Sequence, residues 1–356
     1  MRLKLVIFST FACLLIIGIS DGYQYGPVID RIIVYFSQFN YFIKSHITEV
    51  EIKSTQALGS SYPNVPETPL SSKDVKFFLY TRKNPDIHKT LFENSSKKEI
   101  RESGFDPHHE TVIFCHGYNT SYTKYASNFT SNLLPRTDIN IVIIEWDLYS
   151  SYNVIYVEFD TLFRLGKIIA GFVQSLIDAG ADRKMIHLIG YSDGGGAVTL
   201  AAKQIRPTVG RITAFDPVGD YFNYFLSPPN QILSADDADY VQVIHCTVYH
   251  QALSPQLKGD ITFYMNGALI QPQCAKFTNI SNVALCSHLL CGPYLVESLM
   301  KKSTLVGIKC AGFLSNSPKD YDFSDKVTLT YDVPTKFKGS YCVHTDHPPA
   351  PDVEEA

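Results

Sequence analysis

Six short apolar runs, several rich in β-branched residues, punctuate the chain at Val75–Tyr80, Val112–Cys115, Ile141–Trp146, Met185–Ile189, Ile212–Phe215 and Val241–Cys246. Runs of this length without polar alternation predict strands buried on both faces. Between the third and fourth runs, Leu165, Ile168, Ile169, Phe172, Val173, Leu176 and Ile177 step by three or four positions and stop at Gly180. That is the apolar stripe of a helix with a C-terminal glycine stop. A second helical stretch, Ala197 to Ile205, comes before the run at Ile212. Strand and helix in alternation predict an α/β protein, a mostly parallel central sheet flanked by helices with right-handed crossovers. Residues 21–74 have no clear period and include ALGSSYPNVPETPLSS, so they read as an irregular N-terminal extension, with the folded domain at 75–356.

The extreme N-terminus follows a different rule. Arg2 and Lys4 precede an uncharged apolar run from Leu5 to Ile19, followed by small residues. The run is short for a membrane span and has the charge layout of a secretory signal peptide, so residues 1–20 are expected to be removed near Ser20 or Gly22. The chain is therefore expected to be secreted. Cysteine usage fits an oxidising compartment: of eight cysteines Cys13 lies in the leader, leaving an odd number and so at least one free thiol or intermolecular bond. Cys274 and Cys286 would close a short surface loop, whereas Cys115 and Cys246 end apolar runs and read as small buried hydrophobes. No C-x-x-C or H-x-x-x-H spacing supports a metal, and no cofactor is expected. Sequons at Asn94, Asn119, Asn128 and Asn279 also fit secretion. With 45% hydrophobic and 19% charged residues the chain has ample material for a core. Its 31 Lys and Arg against 35 Asp and Glu, with no basic run, give nucleic acid nothing to hold.

The candidate chemistry centres on HLIGYSDGGG at 187–196. Gly190, Ser192 and Gly194 form GxSxG directly after an apolar run and directly before a helical stretch, where a nucleophile elbow must stand. Small neighbours let strand and helix approach, and the helix N-terminus supplies donors and partial positive charge for an oxyanion. A serine nucleophile needs a base and the base an orienting carboxylate, in the chain order Ser, Asp or Glu, His for this type of site. Asp216 ends the next apolar run and fits the acid role. Among His245, His250, His288, His344 and His347, His288 is chosen as the base because Cys286 would anchor it on a loop free to reach Ser192, while His245 belongs to a strand-like run.

FCHGYN, IEWD, GYSDG, RITAFDPVG, DADYVQVIH, FYMNG, QPQC, CSH and GSY occur in that order from 114 to 341. This succession resembles the pancreatic lipase family. The resemblance implies an α/β-hydrolase fold and hydrolysis of lipid carboxylic esters, with Ser192, Asp216 and His288 as the triad. It also implies that the backbone N–H groups of Tyr118 and Asp193 form the oxyanion hole.

The sequence also departs from the family. The elbow usually reads GHSLG, and here Tyr191 and Asp193 replace the His and Leu. The calcium-binding segment of vertebrate relatives, RLDPSDA, aligns with ILSADDA at 232–238, where only Asp237 survives, so no bound calcium is expected. The Cys274–Cys286 loop corresponds to the lid and is short, as is the segment before FYMNG. That pattern resembles phospholipases A1, with a triacylglycerol lipase the other enzyme the resemblance allows, and the expected partner is a lipid substrate or a membrane or lipoprotein surface. The family's C-terminal lipid-binding sandwich is not expected after GSYCVHTDHPP, nor is colipase. A glycan on Asn119 would crowd the cleft, so that sequon is expected to be unoccupied. Non-catalytic yolk and storage proteins share the fold, and a lipid-binding protein of that kind is the alternative.

Overall fold

The computed structural model describes residues 66–152, 157–218, 232–247, 259–313, 315 and 318–345. The leader, most of the N-terminal extension, His250, His347 and most of the short segment before FYMNG lie outside the described residues.

Among these residues eleven strands form one sheet. They are β1 (Lys76–Thr81), β2 (Asn84–Leu91), β3 (Glu110–Cys115), β4 (Ile139–Glu145), β5 (Ile186–Tyr191), β6 (Arg211–Phe215), β7 (Val241–His245), β8 (Ile261–Met265), β9 (Val306–Cys310), β10 (Tyr321–Thr328) and β11 (Gly339–Val343). Their order is β10-β9-β11-β8-β7-β6-β5-β3-β4-β1-β2. From β4 across to β11 every pairing is parallel. Antiparallel strands finish both ends.

The helices that matter for the site are α1 (Lys97–Glu102), α2 (Thr123–Leu133), α3 (Leu162–Asp178), α4 (Asp193–Ala202), α5 (Ile280–Leu289) and α6 (Cys291–Ser298). Successive strand residues face opposite sides of the sheet. Ile113, Val142, Leu188 and Ile212 therefore meet α3 and α4 in one core. Val112, Phe114, Ile143 and Ile189 meet α2 and α6 in another. The stripe expected from 165 to 177 is the buried face of α3, and its Phe172 ring stacks on Phe77 with centroids 3.8 Å apart. Truncating such a ring to alanine costs about 3–5 kcal/mol.

The second helix begins earlier than its apolar residues suggest, because Asp193 and the three glycines after it form the first turn of α4. Glycine is a poor helix former, and tight packing against neighbouring backbone is what keeps it there.

The chain leaves β3 toward β4 on one side and resumes at β5 on the other, so the connections diverge between β3 and β5. Beyond the carboxyl ends of two such strands an open α/β sheet leaves a crevice.

Candidate active site

Strand β5 ends at Tyr191 and α4 starts at Asp193, so Ser192 alone makes the turn, at φ 56° and ψ −124°. A non-glycine residue there stores on the order of 1–3 kcal/mol of strain and persists only when its surroundings over-determine it. Here the Ser192 N–H donates to the Phe215 carbonyl at 3.0 Å, and the Ser192 carbonyl accepts from Gly195, Gly196 and Val218 at 2.8, 3.2 and 3.0 Å. A Cβ on Gly190 would collide with the Gly194 carbonyl, and one on Gly194 with the Cys115 carbonyl. Larger residues at either position would push the helix off the sheet.

The Ser192 hydroxyl lies 2.7 Å from Nε2 of His288. Nδ1 of His288 lies 2.6 Å from Oδ2 of Asp216. With Nδ1–H donating to the carboxylate, Nε2 is left to accept the serine proton. Asp216 is fully buried just beyond β6, and its Oδ1 accepts backbone N–H bonds from Cys246 at 2.9 Å and Thr247 at 3.4 Å. An imidazole and two backbone donors satisfy a carboxylate that burial would otherwise penalise heavily.

His288 is not on a loop, as its sequence setting suggested. It occupies the last turn of α5, whose N-terminus is capped by the Asn279 side chain accepting from the Ser281 N–H at 2.8 Å. The cap was visible only as a sequon, and the helix itself shows almost no separation of apolar from polar faces.

Cys246 also requires correction. It is bonded to Cys291, beside Cys274–Cys286 and Cys310–Cys342, and among the described residues Cys115 is the free, buried thiol. A buried disulfide and a buried hydrophobe leave the same apolar signature, so burial could not separate them. Two of these bonds bracket His288, through Cys286 and Cys291. The second runs to Cys246, the residue whose N–H holds Asp216. His288 and Asp216 thus share one covalent frame. The grouping of Asp216 with Cys246 and Cys291 is no metal site, since the two sulfurs are joined and the carboxylate is engaged by His288.

The turn after β3 passes against the serine, where a Cβ on Gly117 would sit 2.7 Å from the Ser192 Cβ. Tyr118 follows in that turn, and Asp193 is the first residue of α4. A network that the sequence did not signal holds the turn. Nε2 of His116 meets Oδ1 of Asp147 at 2.9 Å, and the His116 carbonyl accepts from the Trp146 indole N–H at 3.2 Å. Ser121 donates to Oδ2 of Asp147 at 2.6 Å. Burial raises the Asp147 pKa, but hydrogen bonds from His116 and Ser121 outweigh it and hold the carboxyl below its ordinary value. FCHGYN contains His116 and IEWD contains Trp146 and Asp147, but neither motif shows from sequence alone that the two meet.

The side chain of Asp193 is buried, and its Oδ2 has no hydrogen-bond partner among the described residues. Burial pushes its pKa up to about 7, with the nearby His288 pulling the other way. The same carboxyl adds to the burial that drives the Cys115 thiol well above its ordinary range.

In the segment aligned with calcium ligands, Oδ2 of Asp237 is taken by Nζ of Lys203 at 2.6 Å and by the Ser234 N–H at 2.8 Å. A carboxylate already neutralised by an ammonium group, beside the exposed Asp236, does not supply the set of several oxygen ligands that a divalent cation takes.

A strand–serine–helix elbow at the carboxyl edge of a mostly parallel sheet, followed in chain order by Asp and His, defines the α/β-hydrolase class. The Lipase family model matches residues 46–320, and the chain belongs to that family. It is 27% identical over 242 residues to phospholipase A1 member A of Mus musculus, covering 67% of this chain and 52% of that protein. Lipase member H-A of Xenopus laevis is 27% identical over 245 residues, covering 67% and 51%. Lipase member H of Danio rerio is 26% identical over 276 residues, covering 76% and 57%. The chain therefore spans about half the length of the curated relatives it matches.

Proposed function

We propose that the protein is a secreted serine hydrolase that cleaves carboxylic esters of lipids, acting on the sn-1 ester of phospholipids. The observation that carries this reading is the continuous hydrogen-bonded chain from Ser192 through His288 to Asp216 at a strained elbow.

Ser192 Oγ attacks the acyl carbonyl carbon while Nε2 of His288 takes its proton. Asp216 holds the imidazolium that forms, and the backbone N–H groups of Tyr118 and Asp193 receive the negative charge on the former carbonyl oxygen. Collapse of the tetrahedral species breaks the ester bond, and the leaving alcohol takes the proton from Nε2. Water then repeats the sequence on the acyl-enzyme and releases the fatty acid.

The phospholipid preference is supported by the short Cys274–Cys286 loop and by a relative named phospholipase A1 member A. Secretion is supported by three disulfides, and among the described residues no helix is long and apolar enough to cross a membrane. Acyl release from phosphatidylcholine labelled at sn-1 or at sn-2, beside a triglyceride, tests the reading with wild type and folded Ser192→Ala. Release from sn-1 that the variant loses is expected. Release from triglyceride alone would refute the substrate, and no turnover on any of the three would favour a binding protein.

A further inference from the structure

Strand alternation places the side chain of Tyr191, the last residue of β5, on the face of the sheet that carries α2 and α6. There it is almost fully buried, and it reaches the catalytic base in two ways. Its ring lies offset over the His288 imidazole, with centroids 5.6 Å apart and planes 20° from parallel. Its phenol donates to the His288 backbone carbonyl at 3.1 Å. That carbonyl is in the last turn of α5, where it also accepts from the Leu290 N–H.

We infer that Tyr191 is a positioning residue for the base: the phenol fixes the main chain of His288, and the ring limits rotation of the imidazole between Ser192 and Asp216. This inference rests on the catalytic reading of Ser192 and His288.

The two contacts constrain different freedoms. A hydrogen bond to the carbonyl sets where the side chain starts from α5, while an aromatic face against the ring sets its plane. Asp216 then fixes one ring nitrogen at 2.6 Å, so Nε2 is aimed at Ser192 by the phenol and ring of Tyr191 and by the Asp216 carboxylate. Tyr191 is itself backed by the Tyr125 ring of α2, with centroids 6.3 Å apart. Gly292 of α6 lies beside both rings, where a Cβ would make ordinary contact, 3.8 Å from the Tyr191 ring and 3.4 Å from the Tyr125 phenol. Burial drives the phenol well above its ordinary pKa, which favours its protonated, donating form. The ring also faces the imidazolium formed during the reaction, and an aromatic face attracts such a cation.

The test compares wild type, Tyr191→Phe, Tyr191→Leu and Ser192→Ala. One readout is kcat and KM on p-nitrophenyl butyrate; the other is the low-field proton NMR resonance of His288 Nδ1–H. Tyr191→Phe keeps the ring and loses the phenol, and is expected to lower kcat by about threefold, the size of one hydrogen bond, while the resonance stays sharp. Tyr191→Leu is expected to lower kcat by about tenfold or more at unchanged KM, since small misplacement of a catalytic group is costly, and to broaden the resonance through solvent exchange. A folded Tyr191→Leu with wild-type kcat and a sharp resonance overturns the inference. If that variant does not fold, Tyr191→Phe decides, and wild-type kcat there overturns it. Turnover that survives in Ser192→Ala would instead refute the catalytic reading, while the response of the His288 resonance to Tyr191→Leu would still report on positioning.

Discussion

Asp193 contributes a backbone N–H at the start of α4 but carries a buried carboxyl whose Oδ2 has no partner among the described residues. Burial raises its pKa from 3.8 to about 7, so in that interval the folded protein holds a proton that the unfolded chain releases. Its contribution to stability is complete below the unfolded value and is lost as pH rises toward 7, with a slope on the order of 1 kcal/mol per pH unit. Urea unfolding between pH 4 and 8 should show this loss in wild type and a flatter profile in Asp193→Leu; parallel profiles would contradict the assignment. At Asp216 the expected effect is on turnover. Asp216→Asn preserves the shape of the site but favours the wrong imidazole tautomer, and should reduce kcat by about 10⁴-fold without changing the melting temperature by more than a few degrees. The placement of Ser192 and Asp216 was legible because each closes an apolar run. The Asp193 carboxyl was not, because residue type does not say which way a side chain at an elbow points.

The elements differ in how plainly the sequence announces them. Strands β3 to β7 are buried on both faces and appear as mostly apolar runs, with a buried polar residue such as His187, Thr213 or Gln242 inside some of them. Edge strands β2 and β10 expose most of their residues, so NPDIHKTL and YDFSDKVT show no hydrophobic pattern and their pairing is decided by neighbours. Helix α2 buries Tyr125, Ala126, Phe129 and Leu133 at helical spacing, but threonine, serine and asparagine between them weaken the signal. For α5 the disulfides are decisive. The 45-residue separation closed by Cys246–Cys291 corresponds to about 4 kcal/mol in the loop-entropy model. Replacing both cysteines by serine should lower stability by about that amount and reduce kcat, because Cys246 also donates to Asp216. Thermal melts and ester turnover check both, and wild-type kcat in the folded double variant would show that the bond does not frame the site.

Across the molecule, each group of the site comes from a different connection at one edge of the sheet: the turn after β3, the elbow after β5, the end of β6, and α5. Strand order brings them together, and the sequence could forecast the edge but not the distances. The Lys203–Asp237 pair belongs to the same scale, joining the far end of α4 to the turn before β7 through an ammonium group. Chelation with EDTA should therefore leave melting temperature and turnover unchanged; a fall in either that added calcium restores would show a cation site. All of this depends on Ser192 being an activated nucleophile, and labelling of the folded protein with a fluorophosphonate, mapped by peptide mass spectrometry, tests that most directly. A single adduct on Ser192 that is lost in His288→Ala is the expected result. No adduct on folded wild-type protein, or labelling indifferent to His288, would contradict it.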